Sequence, residues 1–272
     1  MLPPVIKNLI IINTLAFLAY VSLSQVFRID LNDIFGMHYV GSEKFSPYQM
    51  VTYMFMHGGI GHLFFNMFAL WMFGNNLENY WGPKKFLIYY FVTGIGAVLI
   101  HFIVLYIEIS PVINAIDTFL LNPSLTDFKV FMESDFFKIA SYDIQNHYNQ
   151  FSHNYNNIVA SNPNKALQQA IYFMNEYRVD YLNAPVVVGA SGAVFGLLLA
   201  FGMMWPNSVI YLYFAIPIKT KYFVIMYGAL ELYSGISASQ GDNVAHFAHL
   251  GGMIFGFILI MFWKKKEKTK WM

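Results

Sequence analysis

The sequence contains no cysteine in 272 residues, and only 11% of its residues are charged. The absence of cysteine excludes disulfide bonds, thiol nucleophiles and thiolate metal sites. The scarcity of charge excludes an ordinary soluble surface, because soluble domains carry about 25% charged residues. A formal net charge of +1 gives no reason to expect a nucleic-acid partner. The chain has instead 57% hydrophobic residues and a mean hydropathy of +0.47, which indicate an integral membrane protein.

Long apolar runs recur along the chain, and a helix needs about 20 apolar residues to cross a bilayer. The candidate spans are residues 9–27, 51–73, 86–107, 186–205, 222–236 and 244–263. We therefore predict an all-α membrane protein with six transmembrane helices, three in residues 1–107 and three in residues 184–263. The run at 209–218 is too short to cross and contains Pro217, so we expect an interfacial connector there.

The remaining segments are more polar. Residues 108–183 form an insertion between helices 3 and 4 that is too long for a structureless loop, and its apolar residues recur at helical spacing. We predict an extracytoplasmic insertion of two or three amphipathic helices. Residues 234–243 suit either a mobile cap or a plain short loop, and residues 264–272 form a basic tail.

Lysine and arginine near the span ends predict the orientation, because these residues are enriched on the cytosolic side. If six spans alternate, Lys7, Lys84, Lys85 and the lysine-rich tail all lie on one side. We expect both termini in the cytosol and the insertion outside. The expected localisation is a multi-pass protein of a bacterial inner membrane, surrounded by lipid.

Polar residues occur at similar depth in three spans that enter from the outer side. Ser191 lies in the run Gly189-Ala190-Ser191-Gly192, five residues into span four, and His249 lies five residues into span six. Both would sit about 7–8 Å below the span entrances if those residues are helical. His62 and Asn66, at i and i+4, share a face of span two. Polar groups are costly in a membrane, so this convergence is a hypothesis of function.

Each motif also has a structural interpretation. Gly192 and Gly196 form a Gly-x-x-x-Gly pattern that is typical of close helix packing. His57 and His62 are candidates for a metal site, but zinc hydrolases place two histidines at i and i+4 around a glutamate, and these are five apart. We therefore predict no metal and no cofactor. His246, one turn before His249, is the rival candidate for a catalytic base.

Taken together, three motifs resemble those of the rhomboid intramembrane serine proteases. They are His57-x4-His62-x3-Asn66 in span two, Gly189-Ala190-Ser191-Gly192 in span four, and Ala248-His249-Leu250-Gly251-Gly252 in span six. The resemblance implies a six-helix rhomboid fold and an endopeptidase that cleaves transmembrane protein substrates. It implies a catalytic dyad of Ser191 and His249, an oxyanion hole containing His62 and Asn66, and a structural role for His57 beside the site.

Chemistry adds expectations about the neighbours of the dyad. A serine is activated by a neutral histidine within hydrogen-bond reach. No carboxylate that could be the third member of the site is obvious in the sequence, so we expect packing against Phe195 and Gly252 to orient the imidazole. We expect Gly189 and Gly192 to allow neighbouring backbone to lie close to the serine. Phe195 stands where some rhomboids carry a tyrosine. The alternatives are a non-catalytic rhomboid-like protein that binds transmembrane clients and a small-solute transporter, although the paired broken repeats of a transporter are not evident.

Overall fold

The computed structural model describes residues 2–212, 215–237 and 245–269. The predicted cap at residues 234–243 therefore lies mostly outside the described residues, as does the end of the basic tail. The helices are α1 (Pro4–Phe27), α2 (Leu31–Phe35), α3 (Gln49–Thr52), α4 (Ile60–Trp81), α5 (Pro83–Leu121), α6 (Leu125–Glu133), α7 (Tyr142–Ile158), α8 (Pro163–Asn183), α9 (Ser191–Met204), α10 (Thr220–Ser237) and α11 (His246–Thr269), with a 3-10 turn at Tyr53–Phe55. The strands are β1 (Met37–His38), β2 (Val186–Val187), β3 (Val209–Leu212) and β4 (Ile216–Lys219).

The protein is a predominantly helical membrane protein. Within the described residues, three helical segments are long and apolar enough to cross a bilayer: Pro4–Phe27, Pro83–Leu121 and His246–Lys265. A shorter apolar helix is formed by Ser191–Met204. The class predicted from the sequence agrees with this architecture, whereas the count of six spans stays a prediction.

Several helices begin later than their apolar runs do. The second predicted span starts at residue 51, yet α4 begins at Ile60, after an extended Gly59. The fourth starts at residue 186, yet α9 begins at Ser191, because residues 186–187 are extended and Gly189 has a φ of +120°. The predicted depth of Ser191 assumed a helix from residue 186 and was wrong in that respect, since the serine opens its helix.

Two other segments differ from the predicted boundaries. Helix α5 contains 39 residues and continues through Pro111, so it is about 58 Å long, roughly twice the thickness of the hydrocarbon core. The predicted end of span three at residue 107 therefore falls inside a continuous helix. The predicted connector at 209–218 is an antiparallel hairpin in which Val209 pairs with Lys219.

The chain divides into two compact units, and the first contains Met1–Met37, Ser46–Phe102 and Val187–Met272. In this unit α9 packs against α4, α10 and α11, and α1 packs against α4. The buried Glu78 of α4 accepts hydrogen bonds from the backbone N–H groups of Val5 and Ile6, at 2.9 Å each. These are N–H groups of the first turn of α1, which have no partner within their own helix. The carboxylate thus fixes one end of α1 to α4.

The second unit contains His38–Phe45 and Ile103–Val186. The end of α5 packs with α6, α7 and α8 around a core that includes Ile116, Phe128 and Phe173. Side-chain caps begin these helices: Ser124 accepts from the N–H of Asp127, and Ser141 from the N–H of Ile144. The polar segment thus forms three helices after α5, with a hydrophobic core of its own.

Candidate active site

Ser191 and His249 lie in hydrogen-bond contact. Ser191 is the first residue of α9, and His249 lies in the first turn of α11. The serine Oγ is 2.8 Å from His249 Nε2, and both residues are partly buried. The structure therefore joins the two residues that the sequence singled out, 58 positions apart.

Glycines bring the two helices close enough for this contact. A Cβ added at Gly252 of α11 would overlap the carbonyl oxygen of Gly192 of α9 and lie 2.8 Å from its carbonyl carbon. A Cβ at Gly192 would in turn overlap the side chain of Ala97 in α5. Gly192 follows the serine, and Gly252 lies three residues after His249. The closest approach of α9 and α11 is therefore within one turn of the Ser191–His249 contact.

Phe195 covers one face of the histidine ring. The rings of Phe195 and His249 are stacked, with centroids 4.3 Å apart and planes inclined by 5°. Phe195 also contacts Tyr227 of α10, and the centroids of these two rings are 5.5 Å apart. The expected packing of Phe195 against the imidazole is present in this geometry, and it fixes the tilt of the ring.

A carboxylate that the sequence analysis did not identify lies against the same histidine. Glu231 of α10 is 9% exposed, and its Oε2 is 2.8 Å from Nδ1 of His249 and 2.7 Å from Nδ1 of His246. The expectation that packing alone orients the imidazole was therefore wrong. The signal was present in the sequence, because an acidic residue within an apolar run is itself a sign of function.

His246, the rival candidate for the base, faces Glu231. Its ring centroid lies 6.3 Å from that of His249. The hydrogen bond to Ser191 Oγ comes from His249. The geometry therefore distinguishes the two histidines: His249 lies between the serine and the carboxylate, whereas His246 contacts the carboxylate.

His62 and Asn66 lie beside the loop that precedes the serine. A Cβ added at Gly189 would lie 2.6 Å from Nε2 of His62 and 3.7 Å from Nδ2 of Asn66. The N–H of Gly189 donates to the carbonyl oxygen of Tyr53 at 2.9 Å, which fastens this loop. Gly189 thus leaves room for both side chains next to the start of α9.

His57 lies behind this pair and is buried, with its ring centroid 5.1 Å from that of His62 in an edge-to-face arrangement. Among the described residues, these two histidines do not belong to a cluster of three or more metal-ligating groups. In the part of the chain that the structure describes, the cluster with donor atoms close enough to share a cation consists of Glu231, His246 and His249.

Comparison with known proteins identifies a family model that matches the chain. A family model described as Rhomboid domain matches residues 44–111 and 164–266, which is more than half of the chain. The matched segments include Ser191, His249, Glu231, His62 and Asn66. No curated protein matches the chain. The stretch between the two matched segments, 112–163, is shorter than the insertion predicted at 108–183.

Proposed function

Because the chain belongs to the rhomboid family, we propose that it is an intramembrane serine endopeptidase that hydrolyses peptide bonds in or near transmembrane segments of membrane proteins. The observation that carries this proposal is the 2.8 Å contact between Ser191 Oγ and His249 Nε2. A serine hydroxyl becomes an effective nucleophile when an adjacent base removes its proton. This arrangement provides the base at hydrogen-bond distance.

In the proposed reaction, Ser191 Oγ attacks the scissile carbonyl carbon while its proton moves to His249 Nε2. The negative charge then develops on the carbonyl oxygen. The His62 ring and the Asn66 amide are the proposed side-chain donors to this oxyanion. The backbone N–H of Ser191 lies in the first turn of α9, where N–H groups have no partner within the helix and the helix dipole is positive.

The tetrahedral intermediate then collapses. The C–N bond breaks, and His249 returns its proton to the leaving amine, which gives an acyl-enzyme on Ser191. Water then attacks the ester with His249 as base, and the same proton cycle releases the acid and restores the serine hydroxyl. A helical substrate must unwind locally, because a hydrogen-bonded helix shields its scissile carbonyl.

We also propose the arrangement of the chain in the membrane. Transmembrane helices 1–3 are followed by an extracytoplasmic segment, transmembrane helices 4–6 and a basic cytosolic tail, in a bacterial inner membrane with both termini cytosolic. The lysine distribution supports this orientation. The lack of cysteine makes the test direct, because a single introduced cysteine is then the only thiol. Lys84→Cys should be protected from an impermeant maleimide in intact cells, and Asn156→Cys should be labelled. The reverse pattern would contradict the orientation.

The experiment that tests the protease proposal compares the wild type with Ser191→Ala and His249→Ala. The wild type should be labelled by a fluorophosphonate and should cleave a model single-span substrate, and both variants should lose these activities. Thermal unfolding in detergent shows that each variant is folded. A folded wild type that is neither labelled nor active would favour the non-catalytic, client-binding alternative. Full activity of His249→Ala would transfer the role of the base to His246.

A further inference from the structure

The carboxylate of Glu231 has two imidazole neighbours on a single oxygen. Oε2 is 2.8 Å from Nδ1 of His249 and 2.7 Å from Nδ1 of His246. The three side chains come from two helices, α10 for Glu231 and α11 for both histidines, and each is about 11–12% exposed. An ionised carboxylate accepts hydrogen bonds and cannot donate them. With Glu231 ionised, both Nδ1 atoms carry protons.

This assignment determines the tautomer of the histidine that contacts the serine. With its proton on Nδ1, a neutral His249 presents an unprotonated Nε2. That atom lies 2.8 Å from Ser191 Oγ and accepts the hydroxyl proton. The opposite tautomer would place a lone pair against the carboxylate and an N–H against the serine, and could not act as a base. Glu231 thus selects the reactive form of His249.

The carboxylate also restrains a motion that stacking leaves free. Phe195 lies parallel to the imidazole, so it fixes the tilt of the ring but not rotation within the ring plane. Contacts at Nδ1 and Nε2, on the edge of the ring, fix that rotation. Because a displacement of about 1 Å at reacting groups lowers rates about 100-fold, this restraint bears on the reaction rate.

We propose that Glu231 is a positioning residue that completes a Ser191–His249–Glu231 triad, and that His246 holds its carboxylate in place. This inference rests on the proposed function and deepens it. Glu231 keeps His249 in the tautomer and orientation that accept the serine proton, and its negative charge stabilises the imidazolium that forms in the transition state. A dyad of Ser191 and His249 alone does not account for the contact between the Glu231 carboxylate and the His249 imidazole.

The test compares Glu231→Gln with Glu231→Asp and with the wild type. A glutamine at this position keeps the shape but removes the charge and can present an N–H to His249. In the Ser-His-Asp template, the corresponding amide substitution lowers kcat about 10⁴-fold. We expect Glu231→Gln to lower kcat and the fluorophosphonate labelling rate at least about 100-fold, with KM changed less than about threefold. Glu231→Asp should recover part of the loss.

A matched control comes from Glu78, a second glutamate that is buried among the described residues. Glu78 is 2% exposed and accepts two backbone N–H groups of α1, away from the dyad. Glu78→Gln removes a buried charge in the same way, and it should lower the unfolding temperature while leaving kcat unchanged. His246→Gln should lower kcat by less than Glu231→Gln, because it removes the support of the carboxylate and not the carboxylate itself.

The outcomes separate this inference from the proposed function. A wild type that is not labelled contradicts the protease itself. A labelled wild type with Glu231→Gln within about threefold in kcat, or a loss confined to KM or to stability, overturns the triad alone. If Glu231→Gln does not fold, His246→Gln and Glu231→Asp decide the question. Loss of wild-type activity on treatment with EDTA would assign the cluster to a metal and would also overturn the triad.

Discussion

Replacement of Gly252 by alanine should separate the catalytic serine from its base. The added Cβ would lie 2.8 Å from the carbonyl carbon of Gly192 and closer still to its oxygen. An ordinary carbon–carbon contact needs about 3.5–4.0 Å. Because the obstacle is backbone, α9 and α11 must move apart by about 1 Å.

The Ser191–His249 contact lies within one helical turn of this crossing in both helices. Ser191 precedes Gly192, and His249 lies one turn before Gly252, so a shift of about 1 Å takes the 2.8 Å contact beyond hydrogen-bond length. We expect about a 100-fold loss of cleavage and of fluorophosphonate labelling. Overpacking should also lower the free energy of unfolding by about 1–3 kcal/mol.

Gly228→Ala is the matched control. Its added Cβ would face the end of the Met253 side chain at 3.3 Å, which is flexible enough to move. This variant should keep its labelling rate and its unfolding temperature. The assay is the time course of fluorophosphonate labelling together with thermal unfolding in detergent. Labelling of Gly252→Ala at the rate of the wild type would refute the argument that this crossing sets the distance between serine and histidine.

Three further experiments test the surroundings of the site and the second unit. Gly189→Ala should lower kcat about 10²–10³-fold, because its φ of +120° strains an alanine and the Cβ would displace His62; an unchanged kcat would argue against an oxyanion role for His62. Phe195→Leu should slow labelling by the fluorophosphonate, because it removes the ring that stacks on His249, whereas Phe195→Tyr should not. Equal labelling rates for the two variants would show that the stacked ring is not needed. Phe173→Ala should lower the free energy of unfolding by about 3–5 kcal/mol in a denaturation experiment. Phe136→Ala should lower it little, because Phe136 is 40% exposed. Similar losses from both variants would contradict a hydrophobic core around Phe173.

The sequence identified the residues around the serine because each one interrupts an apolar pattern or forms a recognisable motif. Ser191, His249 and the His62–Asn66 pair stand out for that reason. Phe195 was expected against His249 because of the resemblance, since some rhomboids carry a tyrosine at this position. The helix starts were less predictable, because hydropathy does not register the φ of Gly189 or the extended residues before Ser191.

Glu231 also interrupts an apolar run, but the sequence does not show which residue it contacts. It lies in a predicted span with no motif around it, and its distance along the chain from His249 has no local geometric meaning. The packing of α10 against α11 brings the two together, and a single sequence does not contain that packing in readable form. The hairpin at β3 and β4 was missed because a short apolar run has no periodicity that separates a strand from a connector.

The position of Glu231 has a consequence for the biogenesis of the protein. Helix α10 has 18 residues and contains the acidic Glu231 within an apolar run. An ionised acidic residue near the centre of a span adds about 2.5–3.5 kcal/mol to the cost of insertion. Both imidazoles that contact this carboxylate belong to α11, the next helix to leave the ribosome. We therefore expect α10 to enter the bilayer together with α11, whose histidines contact the Glu231 carboxylate. These contacts of the site would then form during insertion.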